Sequence, residues 1–392
     1  MMGVMGSTHK FGVLDLIRAG LQDLDMAREL LDELRADGMD DGRLHLLMET
    51  LEKTCDPDIA LRNLVDIIKA LQSQGRDFRQ VITDDEGLVR LVTVLGVSDE
   101  MGKLMRFRPE LVMAAASDSC ESHLYNHAQR RAHVLEAVGA DPADSSMPKA
   151  SKPLAKAATA LRQTYRKQLA AIMAQDTTAE DPIEIQPRIS QELSDLADAA
   201  LEGALAIARN EVDGSEHVRF AIIGMGKLGA RELNYVSDVD LIYVVEPTDK
   251  DTNGMTLNRV GTKMATTLQR VCQSVIMGVA EPTLWQIDGG LRPEGKDGPL
   301  VRKLESHKAY YEQWAENWEF QALLKARPVA GDPDLGQAYM DMTRPFVWTA
   351  SKRDNFVYDC QQMRKRVEDL IPAPLKDREI KLGRGGLRDV EF

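Results

Sequence analysis

The sequence predicts an α+β fold in which a compact α/β unit with a small mixed sheet is set between all-helical regions. Three observations carry this prediction. Apolar residues recur at helical spacing through the front of the chain, two β-branched runs follow one another near the middle, and helical periodicity resumes behind them. An aromatic content of only 5% in an Ala-, Leu- and Met-rich sequence also favours helical packing over a β-sandwich.

Taken in order, Phe11 to about Val138 reads as a succession of short amphipathic helices. Leu14, Ile17, Leu21 and Leu24 share one face, as do Leu61, Leu64, Ile67, Ile68 and Leu71. Asp37-Gly38, Gly75 and Gly96 are the turn signals between them. Gly139 to Pro153 is the linker candidate and Asp176 to Pro187 a second loop, after which Ser190 is expected to cap a long helix carrying Leu193, Leu196, Leu201 and Leu205. Strands are expected at Val218 to Ile223, Val239 to Val245 and Thr283 to Asp288, with a helix from about Thr256 to Gly278 between the last two. Helices resume near Ser306, where Tyr310, Tyr311, Trp314 and Trp318 fall at helical spacing and the two tryptophans read as core. The expected division is a helical region at 1–150, a linker and long helix at 151–215, the α/β unit at 216–335, and the start of a second helical region at 336–392. No internal repeat of about 20 to 50 residues is visible.

Several function classes are disfavoured by bulk properties. A chain of 392 residues can bury a sizeable core without covalent staples. Its net charge of −13 argues against a surface that neutralises nucleic-acid phosphates or anionic lipid. The acidity lies mostly in front: the first hundred residues hold 11 basic and 20 acidic side chains. Cys55, Cys120, Cys272 and Cys360 are too scattered for a zinc site or a disulfide framework, and read as reduced, mostly buried thiols. With no signal peptide and no stretch of about 20 apolar residues, the expected location is cytoplasmic, with no membrane partner.

The chemistry concentrates around Gly224-Met225-Gly226-Lys227-Leu228-Gly229, which follows a strand and satisfies G-x-G-x-x-G. A dinucleotide fold nevertheless fits poorly. Only nine residues, Ala230 to Asp238, separate this turn from the next strand, too few for a full crossover helix. The pattern that fits is a strand, a Gly-containing turn, and then Asp238-Val239-Asp240-Leu241 in a second strand. Residues i and i+2 project from one face, so Asp238 and Asp240 stand side by side while Val239 and Leu241 face the core. Two such carboxylates call for a cation, and hard oxygen ligands suit magnesium. Asp288, at the end of the third strand, completes a ligand set for a two-metal nucleotidyl-transfer site. Lys227 is the candidate phosphate contact. Ser237 fits a nucleotide contact or a turn cap equally well, and Arg292 either a phosphate clamp or a buttress for the acidic cluster. No histidine is paired in a catalytic pattern.

These residues resemble a known family. Ile223 to Ile242 (IGMGKLGARELNYVSDVDLI) is similar to the nucleotidyltransferase signature of bacterial glutamine synthetase adenylyltransferase/adenylyl-removing enzymes. Asp288 to Leu300 (DGGLRPEGKDGPL), Trp318 to Arg327 (WEFQALLKAR) and Lys381 to Phe392 (KLGRGGLRDVEF) extend the match, and Asp56 to Leu64 (DPDIALRNL) carries it into the helical front. The resemblance implies a polymerase-β-like nucleotidyltransferase domain, although the Gly-Ser of that superfamily's turn is Gly226-Lys227 here. It further implies magnesium held by Asp238, Asp240 and Asp288, and phosphates positioned by Gly224, Gly226 and Lys227. The implied partners are glutamine synthetase, ATP/ADP, inorganic phosphate and a PII-type signalling protein. Family members carry two homologous domains, one removing AMP from a synthetase tyrosine by phosphorolysis and one attaching it from ATP. A chain that begins with Met and a helical leader and holds one such domain is expected to be the N-terminal, adenylyl-removing half, ending before its trailing helices finish.

Overall fold

In the computed structural model, residues 11–117, 126–250 and 252–391 are described. Two compact units are formed, one from residues 1–130 and 163–196 and the other from 131–162 and 197–392.

The first unit is all helical. It contains α1 (Val13–Arg18), α2 (Leu24–Ala36), α3 (Asp41–Leu51), α4 (Pro57–Ser73), α5 (Phe78–Val81), α6 (Asp85–Val97), α7 (Asp99–Phe107) and α8 (Pro109–Ala116). Three longer helices, α9 (His127–Val138), α10 (Leu154–Thr177) and α11 (Pro182–Glu211), contribute residues to both units. The predicted face of Leu61, Leu64, Ile67, Ile68 and Leu71 is buried in one core with Leu88, Leu91 and Leu95, but the face predicted on Leu14, Ile17, Leu21 and Leu24 is not: Leu14 and Ile17 are exposed, while Leu16 and Leu21 enter the core. Much of the acidity at the front of the chain serves the helix ends. The carboxylates of Asp23, Asp40, Asp56, Asp77 and Asp84 each accept a backbone amide in the first turn of a helix, and Ser98 does the same for α7.

In the second unit, β1 (Val218–Gly224) is followed by the one-turn α12 (Gly226–Ala230) and β2 (Val239–Pro247). Then come α13 (Gly254–Gln273), β3 (Ile287–Asp288), β4 (Val301–Arg302), α14 (Leu304–Gln313), α15 (Asn317–Leu323), β5 (Arg327–Gly331), α16 (Pro333–Ala350), α17 (Phe356–Asp369) and α18 (Leu387–Glu391). The sheet runs β3-β2-β1-β5, with β4 also on β2; β1 is antiparallel to β2 and β5, while β3 and β4 lie parallel to β2. Ala221, Ile223, Ile242 and Val244 pack against Tyr311, Phe320, Leu323 and Tyr339 on one face. On the other, Gly261 lets α13 approach Val245 and Val301 closely. Burial on both faces is why β1 and β2 read as unbroken apolar runs.

Several expectations need correction. Residues 139–153 are no free linker: Ala150 N donates to Ala206 O, Ser151 N to Gly139 O, and Arg209 to Pro148 O and Ser146 O. The two units thus cut across the expected four-part division. The long helix starts at Pro182, not after Ser190. Asp181 is its cap, accepting from Ile183 N and Glu184 N, while Ser190 lies inside the helix with Pro187 tolerated in the early turns. The third strand shrinks to Ile287–Asp288 because Leu284 N bonds to Cys272 O, turning that backbone toward α13. Trp314 is not core. It closes α14 and is 73% exposed, because the helix breaks there before α15 begins. Of the described cysteines Cys272 is buried and Cys55 exposed, and Cys120 lies outside the described residues.

Candidate functional site

The site is assembled at one end of the sheet. β1 ends at Gly224, opposite Leu241 of β2, and the chain turns through Met225 and Gly226 into α12. Met225 N donates to Asp240 O at 2.8 Å, tying the turn to β2. Gly226 has a φ of +52°, and a Cβ there would lie 2.5 Å from Asp240 Oδ2, so only glycine fits this close approach. The antiparallel pairing of β1 and β2, and a connecting helix of five residues, rule out a dinucleotide-binding crossover.

The start of β2 alternates as its sequence suggests. Val239 and Leu241 are fully buried, Asp240 is half-buried, and Asp238 sits exposed immediately before the strand. In the parallel ladder with β3, Asp240 is the register partner of Asp288, so the third carboxylate arrives from a segment almost fifty residues away. β3 is pinned in turn: Ile287 N donates to Gln273 Oε1, Val239 N to Gln286 O, and Gly290 N to Asp288 Oδ1. The three carboxylates are neighbours without closing into a cage, since their oxygens do not all come within 4.8 Å of one another.

Electrostatics mark Asp240. Burial, together with the like charges of Asp238 and Asp288, pushes its pKa up to about 6, against the opposing pull of Arg388 and Lys381. A carboxylate strained in this way favours any cation that shares its charge. The all-oxygen donor set matches hard divalent ions such as magnesium.

The remaining candidates fall around this centre. Lys227 lies half-buried in α12, and an Asn234 amide whose nitrogen donates to Val236 O accepts from Lys227 Nζ at 3.3 Å. Ser237 Oγ donates to the carbonyl of Asp238. Arg292 is held by the loop that follows Asp288, its guanidinium donating to the carbonyls of Gly289, Lys296 and Gly298.

Residues 88–342 match the family described as glutamate-ammonia ligase adenylyltransferase (GlnE). The chain belongs to this family. It is 76% identical over 386 residues to a bifunctional glutamine synthetase adenylyltransferase/adenylyl-removing enzyme of Bifidobacterium longum (strain DJO10A), covering 98% of this chain and 36% of that protein. Relatives of the same name in Cutibacterium acnes and Streptomyces avermitilis are 42% and 40% identical over 97% and 96% of this chain, and 38% and 35% of their own lengths. The chain therefore spans a little over a third of the curated relatives it matches. Among the described residues no helix is long and apolar enough to cross a membrane.

Sequence reasoning singled out two of the family-like segments without assigning their residues a role at the site. Lys381 and Arg388, in the Gly-rich C-terminal segment that a bond from Arg388 N to Lys381 O closes, exert a positive field that favours the charged form of Asp240. Arg327 lies opposite Gly224 in the β1–β5 ladder and donates to the carbonyls of Leu228 and Gly229. Both placements depend on contacts over long sequence separations, which no local pattern signals.

Proposed function

We propose that this chain carries a nucleotidyltransferase site of polymerase-β-like fold that removes AMP from an adenylylated tyrosine of glutamine synthetase by phosphorolysis, releasing ADP. The observation that carries the reading is the register that sets Asp240 beside Asp288, with Asp238 two residues ahead and the glycine turn against the Asp240 carboxylate. Family membership and the relatives' names support the chemistry of synthetase adenylylation.

In this reading Asp238, Asp240 and Asp288 would hold magnesium ions. When bound, the metal supplies charge neutralisation at the α-phosphate and at the entering and leaving oxygens. The protein's own part is positioning. Gly224 and Gly226 let the turn pack tightly, against Val329 and Leu228 and against the Asp240 carboxylate, Lys227 offers a cation to the phosphate, and Ser237 orders the strand entry. Arg292 braces the loop behind Asp288, since its donors are already engaged by carbonyls. An oxygen of inorganic phosphate attacks the α-phosphorus in line. The new P–O bond gives ADP, the bond to the tyrosine oxygen breaks, and the phenolate takes a proton from water. Phosphate is largely dianionic near neutral pH, so no side chain need deprotonate it. A phenol of pKa about 10 leaves far more readily than an alkyl alcohol. The partners are adenylylated glutamine synthetase, ATP/ADP and phosphate in the cytoplasm, with a PII-type signalling protein acting on the longer enzyme.

The test is to incubate the chain with adenylylated synthetase, phosphate and magnesium and to follow ADP release. Asp238→Asn and Asp240→Asn should each lower turnover by at least about a hundredfold, with circular dichroism unchanged. Near-normal turnover in either variant overturns the assignment. AMP attachment and pyrophosphate release from ATP and unmodified synthetase would instead assign the same site to the adenylylating direction.

A further inference from the structure

The glycine turn of the site is held from behind by a buried ion pair. Arg327, the first residue of β5, donates from Nη1 to Asp198 Oδ2 at 2.6 Å and from Nη2 to Asp198 Oδ1 at 3.1 Å. The same guanidinium donates from Nε to Gly229 O at 3.2 Å and from Nη2 to Leu228 O at 3.0 Å. Asp198, on α11, is fully buried, and the Arg327 side chain is largely so. The carbonyls of Leu228 and Gly229 belong to the end of α12, where a helix's last acceptors lack its i+4 donors; Leu228 O also accepts from Arg231 N at 3.2 Å. One planar fork thus binds a carboxylate on one side and two backbone acceptors on the other, a geometry that the point charge of lysine cannot reproduce.

The packing around the turn makes its position sensitive to this clamp. A Cβ on Gly229 would lie 1.9 Å from Lys325 O and 2.5 Å from Gly224 O, so the turn is pressed against the chain that leads into β5. At its front edge Gly226 touches the Asp240 carboxylate. The turn is therefore in close contact both with the chain behind it and with the acidic centre in front.

We propose that Arg327, neutralised by Asp198, is a positioning residue for nucleotidyl transfer: it fixes the back of the Gly224–Gly229 turn so that the front stays aligned with Asp240. The functional half of this inference rests on the reading of the site as a nucleotidyltransferase; the structural half does not. Two readouts on the whole chain separate them. In Arg327→Lys, hydrogen exchange at the amides of Gly229, Arg231 and Glu232, which are bonded within the turn, should be faster by about tenfold, with the β1–β2 amides unchanged. In phosphorolysis the KM for inorganic phosphate should rise by a similar factor, with a smaller change in kcat. If Arg327→Lys yields little folded protein, Asp198→Asn keeps the shape, removes the counter-charge and is expected to show the same pattern more weakly. Unchanged exchange in the turn, or faster exchange spread evenly over the sheet with KM unaltered, overturns the proposal. Inactivity of the wild-type chain in both directions overturns the functional reading, while the exchange comparison still decides whether Arg327 holds the turn.

Discussion

In the first unit the carboxylates of Asp23, Asp40, Asp56, Asp77 and Asp84 sit at helix starts, exposed or half-exposed, each bonded to a nearby amide of its own helix. In the second, Arg162, Arg209, Asp198 and Glu202 are almost completely buried. Their partners lie far along the chain: Arg162 donates to the carbonyls of Val271, Ser274 and Glu281, and Glu202 accepts from Gly331 N. The contrast separates two uses of charge. Capping is local and cheap, and it tolerates water. Buried forks join distant segments and must be complete, because removing one partner leaves the others desolvated.

That contrast can be broken by experiment. The largest stability loss is expected for Arg162→Met, which strands the buried carbonyls of Val271 and Glu281 and the part-buried carbonyl of Ser274. Chemical denaturation should show a loss of about 4 kcal/mol, and a loss below about 1 would mean that water replaces the guanidinium without cost. In the first unit, Leu64→Ala should cost about 3 kcal/mol through the cavity it leaves, read as faster hydrogen exchange in α4 and α6. Smaller still are the caps. Asp84→Ala should cost about 1 kcal/mol, whereas Asp332→Ala should cost about 2, because Asp332 both caps α16 and pairs with Arg219 at 2.7 Å. Burial opposes ionisation of Asp332, but its bonds from Arg219 and Leu335 N prevail and hold its pKa below the usual carboxylate value. Its ionic contribution is therefore present above about pH 4 and fades as pH falls through the depressed folded value. The cost of Asp332→Ala, measured by denaturation across that range, should shrink in acid.

The elements most legible in the sequence were those whose signal is local. β1 and β2 announced themselves as unbroken apolar runs, and the Asp238/Asp240 spacing followed from strand geometry alone. β5 was missed because Pro328 and Gly331 read as turn residues, although an edge strand accommodates both. β4 is only two residues long, too short to leave a periodicity. Trp314 misled because the helical spacing of Tyr310, Tyr311 and Trp318 runs across a helix break. At the site, the sequence supplied the three aspartates and the turn. The bonds of Arg327 to Asp198 stayed hidden because Asp198 lies 129 residues earlier, and those of Arg292 because backbone carbonyls leave no pattern in the sequence.

The central claim is that Asp238 and Asp240 at the start of β2 and Asp288 on β3 form one metal-dependent site. Calorimetric titration of manganese into the wild-type chain and into Asp288→Asn tests it most directly, because Asp288 joins the others only through the β2–β3 register. The account predicts measurable binding to the wild type and at least about a tenfold weaker affinity in the variant. Wild-type affinity in Asp288→Asn would contradict it.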